Sequence, residues 1–299
     1  MLITGASGML GTALQKSFDE KGYEMLLASR KASADDQHIK WSIEEGFAEP
    51  EKLEGIDAVV HLAGESVAGF RWTDEKKKAI RDSRVLGTRN VVNAISQLKQ
   101  KPKVLVAASA TGFYGERGNE ELTESSSAGD NFLAEVCKAW ETESRRAEDA
   151  GIRTVLLRSG IVFSKDSGAL STMLPAFKLG LGGVVGSGKQ WIGWISLDDE
   201  VGVINFALEN ENLRGAINAT TPNPVTNEQL TKTLGEILYR PTFIPLPEFA
   251  VSMIFGEMGD ELLLSSAKVL PRRLQEAGFE FKYTELKPAL EHALSESAG

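Results

Sequence analysis

Three glycines, Gly5, Gly8 and Gly11, stand at G-x-x-G-x-x-G spacing between the apolar run "MLIT" and the start of a helical pattern. A strand-to-helix bend this tight needs a residue that tolerates unusual dihedrals. A pyrophosphate reaches the main chain there only if no side chain intervenes, beside the electropositive start of a helix. The spacing points to a dinucleotide, with a plain structural turn as the alternative. A P-loop would close with lysine and then serine or threonine, whereas Gly11 is followed by Thr12 and no lysine. About twenty residues on, an NAD site places an acid against the ribose 2′-hydroxyl. Here the chain reads Ser29-Arg30-Lys31, and no acid occurs before Asp35. A hydroxyl and two cations suit a 2′-phosphate, so NADP is expected over NAD, an exposed basic turn being the other reading.

The elements that would carry such a loop are legible as strand–helix alternation. "GMLGTALQKSFDEKG" has helical spacing and stops at Gly22, "YEMLLAS" and "DAVVHLAG" read as strands, and a long charged helix runs from Thr73 to about Leu98. "KVLVAASA", a helix over "DNFLAEVCKAWETESRRAEDAG", and "RTVLLRSGIVF" follow. Nearly continuous apolar strands between helices predict an α/β fold, a Rossmann-type doubly wound parallel sheet. The second half departs from this pattern. Gly180–Gly193 is glycine-rich and irregular, "SLDDEVGVINFALEN" reads as a helix capped near Asp198, and Thr226 with Gln229 has capping-box spacing. Helices are also expected around "PEFAVSMIF" and "SSAKVLPRRLQEAG". The expected division is a dinucleotide-binding domain over 1–163 and 194–220, with a smaller interleaved substrate domain over 164–193 and 221–299.

Composition narrows the partners. The 299 residues carry 33 basic and 42 acidic side chains, a net charge of −9 that opposes nucleic acid and anionic membranes. No apolar run approaches the length of a membrane span, and the first residues lack the charged start of a leader. One cysteine, Cys137, makes no internal disulfide, so a reducing, cytoplasmic setting is expected.

"TGASGMLG", "HLAGE" and "SATGFYG", in this order, resemble the extended short-chain dehydrogenase/reductases, the superfamily of nucleotide-sugar epimerases. Four stretches, "RWTDEKKKAIRDSRVLGTRN", "GLGGVVGSGKQWIGWI", "NATTPNPVTNEQLTKTLG" and "PLPEFAVSMIFGEMGDELLLSSAKVLPRRLQEAGFEF", resemble its atypical epimerase-like branch with a C-terminal domain of unknown function. The likeness runs from Met1 to about Leu290. It implies cofactor binding by Gly5, Ser7, Gly8, Met9, Leu10 and Gly11, with Ser29 and Arg30 at the adenosine phosphate. It also implies that Leu62, Ala63 and Gly64 lie along the cofactor and that Arg84 reaches toward it. Small residues after that strand would let the cofactor lie flat; a lone arginine on a charged helix is otherwise a solvated side chain.

Hydride chemistry in this superfamily uses a serine or threonine on the substrate oxygen, a tyrosine that exchanges its proton, and a lysine four residues later. The lysine's charge lowers the phenol's pKa. Ser109 fits the first role and Lys138 could be the lysine, but Ala134 stands four residues before it, and no tyrosine occurs between Tyr114 and Tyr239. Tyr114 from another direction, a carboxylate such as Glu116 or Glu135, or a binding protein without this chemistry are the alternatives. Cys137 reads as a small buried residue and His61 as a satisfied core histidine. The three histidines are dispersed and give no metal site, and there is no G-x-S-x-G elbow.

On the substrate side, Arg158, Ser159 and Gly160 end a strand at the edge where open α/β sheets bind ligands. Lys189, Gln190, Trp191 and Trp194 suit either a loop closing over a small-molecule substrate or tryptophan anchors. Arg240, Lys268, Arg272 and Arg273 could meet a nucleotide diphosphate, or form a basic exposed face. The helix from Thr73 offers a face either to a second copy, giving a homodimer, or to solvent.

Overall fold

The computed structural model describes residues 1–30 and 36–295. In chain order the strands begin β1 (Leu2–Thr4), β2 (Leu26–Ser29), β3 (His38–Ser42), β4 (Gly46–Phe47), β5 (Ala58–His61) and β6 (Val104–Ala110). After β7 (Glu121–Leu122) come β8 (Arg153–Ser159), β9 (Ile161–Phe163), β10 (Trp191–Ile192), β11 (Trp194–Ser196), β12 (Gly215–Ala219), β13 (Val225–Thr226) and β14 (Lys268–Val269). The helices of the first half are α1 (Met9–Glu20), α2 (Asp74–Ser96) and α3 (Phe132–Arg145). Those of the second are α4 (Gly168–Lys178), α5 (Leu197–Glu209), α6 (Asn227–Leu238), α7 (Glu248–Phe255), α8 (Glu257–Gly259), α9 (Arg272–Glu276) and α10 (Leu286–Ser295).

The main sheet has the order β12-β8-β6-β5-β1-β2-β3-β4, parallel throughout except for the short β4, which runs antiparallel to β3. Successive side chains of a strand face opposite sides, so a strand covered on both must be apolar at every position. Leu2, Val59, Leu105 and Leu156 face α2 through Val91, Val92 and Ile95. Their neighbours Ile3, Val60, Val106 and Leu157 face α1 and α5 through Leu14, Phe18, Val203 and Ile204. This is the expected doubly wound sheet. It also contains β3, which the sequence reading did not name.

A second lobe packs around Trp194, whose ring stacks on Phe163 with centroids 5.1 Å apart, together with Leu170, Phe177, Leu230, Leu234 and Leu290. Thr226 and Gln229 form the expected capping box at the start of α6. α5 is capped by Ser196, two residues before the expected Asp198: Ser196 Oγ accepts from Asp199 N–H and donates to the Asp199 carboxylate. "SSAKVLPRRLQEAG" is not one helix. Lys268 and Val269 pair with β7, and Pro271 confines the helix to α9, whose Leu274 packs with Ala277, Phe279 and Phe281 on the main sheet. Among the described residues no helix is long and apolar enough to cross a membrane.

Candidate functional site

β1 lies between β2 and β5, which leave it in opposite directions, so a crevice opens beyond its carboxyl end. Gly5 turns the chain there with φ +71°, and a Cβ on it would stand 2.9 Å from Ala63 N and Leu62 C. A Cβ on Gly11 would stand 2.4 Å from Gly5 O, so this glycine seats α1 against the loop. Gly5, Ser7, Gly8, Ser29, Arg30, Leu62, Ala63 and Gly64 line one cleft of about 370 Å³. Eight of the expected cofactor residues thus meet in one place. Met9 opens α1 and Leu10 packs toward the core below the cleft, so these two would act through their main chain. Lys31 falls outside the described residues. Trp41, Ser42, Ile43 and Glu44, from β3 and the turn after it, form the far wall. Sequence reasoning missed them because nothing in "HIKWSIE" marks a ligand.

The cleft is braced from below. His61 Nδ1 lies 2.6 Å from Thr4 Oγ1 and its Nε2 lies 2.9 Å from Thr88 Oγ1. Burial pushes its pKa down to about 4, so the ring is neutral and joins β1, β5 and α2 as a satisfied core histidine.

A second cavity, of about 260 Å³, adjoins the first at Arg84. Arg84 Nη1 donates to the carbonyls of Glu65 and Ile80, and its guanidinium lies over the Trp140 ring. Burial lowers its pKa. The walls include Ala110, Thr111, Ser159, Gly160, Trp191 and Glu261. α3 presents Leu133 and Cys137, one helical turn apart, to this cavity. Burial pushes the Cys137 thiol up to about 12, which leaves it inert.

The expected catalytic trio does not assemble here. Ser109 is buried and its Oγ donates to Glu141 Oε1 at 2.8 Å. Glu141 also receives a two-pronged pair from Arg158, at 2.8 and 2.9 Å. Tyr114 is fully buried; its hydroxyl lies 2.6 Å from Asn218 Oδ1 and accepts from Arg158 Nη1, and burial raises its pKa. Lys138 is exposed, because on α3 it follows Cys137 around the helix and off the cavity wall. Ser109, Tyr114 and Arg158 therefore form a structural network behind the cavity. Glu135 is exposed, and Glu116 accepts from Gly118 N–H.

On the opposite wall Trp191 lines the cavity and donates through Nε1 to Asn119, while Trp194 is the buried anchor. Gln190 braces Val185 and Leu263, and Lys189 is exposed. Arg240, Lys268 and Arg273 are spent on Lys178 O, Glu121 and Ala216 O and Arg272 is exposed, so none of these four lines the cavity. Glu261 was not legible as a site residue. Its two carboxylate oxygens accept from Phe132 N–H at 3.0 Å and Leu133 N–H at 2.9 Å, capping α3 from the second lobe, and burial raises its pKa. No group of His, Cys, Asp and Glu among the described residues could hold a metal.

Residues 1–219 match the model of the NAD dependent epimerase/dehydratase family. The chain belongs to that family. Residues 246–293 match DUF1731, a domain of unknown function, so this family member carries that domain after the sheet. It is 40% identical to an epimerase family protein of Mycobacterium tuberculosis, over 97% of this chain and 96% of that one. The crystal structure of human epimerase family protein SDR39U1 with NADPH superposes with a TM-score of 0.90, at 34% identity and 99% coverage of both chains. A nucleoside-diphosphate sugar epimerase from Corynebacterium glutamicum gives 0.80 at 35% identity, covering 98% of this chain and 57% of that one.

Proposed function

We propose that this family member is an NADP(H)-dependent oxidoreductase of the extended short-chain type, acting on a small carbonyl, hydroxyl or sugar-nucleotide compound held in the second cavity. The observation that carries this is the adjacency of two spaces, with the Arg84 guanidinium against Gly64 at the seam. A glycine-floored cleft with Ser29 and Arg30 at one end meets, at Arg84, a cavity roofed by the second lobe. The residues fit a dinucleotide: the close approaches of Gly5 and Gly11 leave the main chain bare where a pyrophosphate would lie. When bound, the nicotinamide supplies a hydride. The chain's part is to hold the adenosine phosphate by Ser29 and Arg30, to lay the cofactor along Leu62–Gly64, and to exclude water under Trp191 and Ile192. The relative crystallised with NADPH supports the choice of NADP. The proposed setting is the cytoplasm, with the chain working on a free small molecule as a homodimer.

One observation favours a second reading. The α3 wall is apolar at Leu133 and Cys137, as expected of a dinucleotide-binding or sensing protein without a tyrosine relay. Calorimetry with NADPH and NADH, followed by a carbonyl and sugar-nucleotide screen, separates the two. Binding with turnover supports the enzyme; binding without turnover supports the sensor. Replacing both Ser29 and Arg30 by alanine should lower NADPH affinity by roughly tenfold or more and leave NADH affinity unchanged, since charge-assisted bonds to the phosphate are lost.

A further inference from the structure

Behind the cavity wall lies an ionisable group that nothing above uses. Glu200, on α5, is fully buried, and its Oε1 lies 2.5 Å from Ser159 Oγ. Its Oε2 has no hydrogen-bond partner among the described residues. Ser159 lines the cavity beside Gly160 and Ile161, so the carboxyl is joined to a residue of the cavity wall through the Ser159 hydroxyl. A lone carboxyl in an apolar interior is costly, and Ser159 alone offsets little of that.

The surroundings favour its protonated form below about pH 7. Burial pushes Glu200 up to about 7, with Asp199 adding to the rise against the Ser159 hydrogen bond. Asp199 itself is held by Ser196 and by the N–H groups of Lys282 and Tyr283. The strands packed on α5, β6, β9 and β11, carry no ionisable side chain. On α1, Lys16, Asp19 and Glu20 are exposed. On β8, Arg158 faces the opposite side of the sheet toward Glu141, and Arg153 donates to the carbonyls of Ala207, Leu208 and Leu213. Among the described residues no cation faces Glu200.

We propose that Ser159 and Glu200 form the proton relay of this cavity, taking the place of the absent tyrosine; the proposal rests on the oxidoreductase reading above. Reduced nicotinamide is the two-electron donor, giving its hydride to the carbonyl carbon. The carbonyl oxygen, which gains the π-electron pair, takes the proton of Ser159 Oγ. Ser159 takes the Glu200 proton in return, leaving a carboxylate that regains a proton between turnovers through Ser159, from solvent entering the cavity once the product has left. Ser159 is the catalytic residue of the pair, and Glu200 acts through it. Alcohol oxidation runs the same path backwards.

The test uses the full chain as wild type, Glu200→Gln and Ser159→Ala, with 9,10-phenanthrenequinone as the carbonyl probe. Infrared difference spectra, taken without turnover, should show a protonated-carboxyl band in the wild type that titrates near pH 7. The band should be missing from Glu200→Gln, whose amide keeps the Ser159 contact. In the wild type, NADPH oxidation should slow as pH rises through about 7. Both variants should lose that inflection and run roughly a hundredfold slower at pH 6. Calorimetry should find NADPH affinity unchanged in Glu200→Gln. A wild type without the band, or a Glu200→Gln that keeps the wild-type rate and inflection, overturns the relay alone. A wild type that binds no NADPH overturns the cofactor reading, and one that binds it without turnover overturns the enzyme reading; the relay falls with either.

Discussion

Gly5 shows how much one missing side chain carries. Its positive φ costs an alanine about 1–2 kcal/mol before any contact is counted. The added carbon would also press on the main chain of Leu62 and Ala63, which is backbone and cannot swing away. Gly5→Ala should therefore push the loop after β1 off the loop after β5 and misplace Ala63 and Gly64 along the cleft. The expected result is NADPH affinity lowered by roughly tenfold or more, with a melting temperature down by several degrees. Titration calorimetry and a thermal melt check the two parts separately. Unchanged affinity would mean that no ligand leans on this bend.

Elements decide what single residues can do, and here sequence reading both succeeds and stops. The glycine loop was legible because strand, bend and helix are consecutive in the chain. The capping box of α6 was legible for the same reason. The orientation of Ser109 was not. Its hydroxyl is claimed by Glu141 from α3, which Arg158 from β8 holds in place, and three distant elements settle that choice. Trp191 and Trp194 could not be sorted into cavity wall and anchor without knowing which way β10 and β11 face. Glu261 is the extreme case, since it caps α3 from a position 128 residues further along the chain. Glu261→Ala would leave two helix-start N–H groups orphaned at the seam between the lobes. A lost cap costs about 1–2 kcal/mol. Urea unfolding should show that loss, and amide exchange at Phe132 and Leu133 should quicken while the rest of the main sheet stays protected. A variant with wild-type stability and protection would show that the second lobe does not hold α3.

For the whole molecule, two buried groups set opposite pH dependences. His61 titrates near 6.5 when unfolded and near 4 in the fold. Between those values the unfolded chain binds a proton that the native ring refuses, so this group's contribution to stability falls as pH drops below about 6.5. Glu200 titrates near 4.5 when unfolded and near 7 in the fold. Between those values the native chain keeps a proton that the unfolded chain has released, so its contribution falls as pH rises through that window. The two windows overlap from about pH 4.5 to 6.5, and the opposed slopes offset one another there. Glu200→Gln removes one side of the balance. Its stability relative to wild type should grow from nothing at pH 4.5 to about 3 kcal/mol at pH 8, the linkage equivalent of a shift of this size. Urea unfolding of both proteins at half-unit steps from pH 5 to 8 measures the difference directly. A difference that stays flat across that range would mean that the native carboxyl ionises as it does in water, and Glu200 could then hold no proton for the cavity at neutral pH.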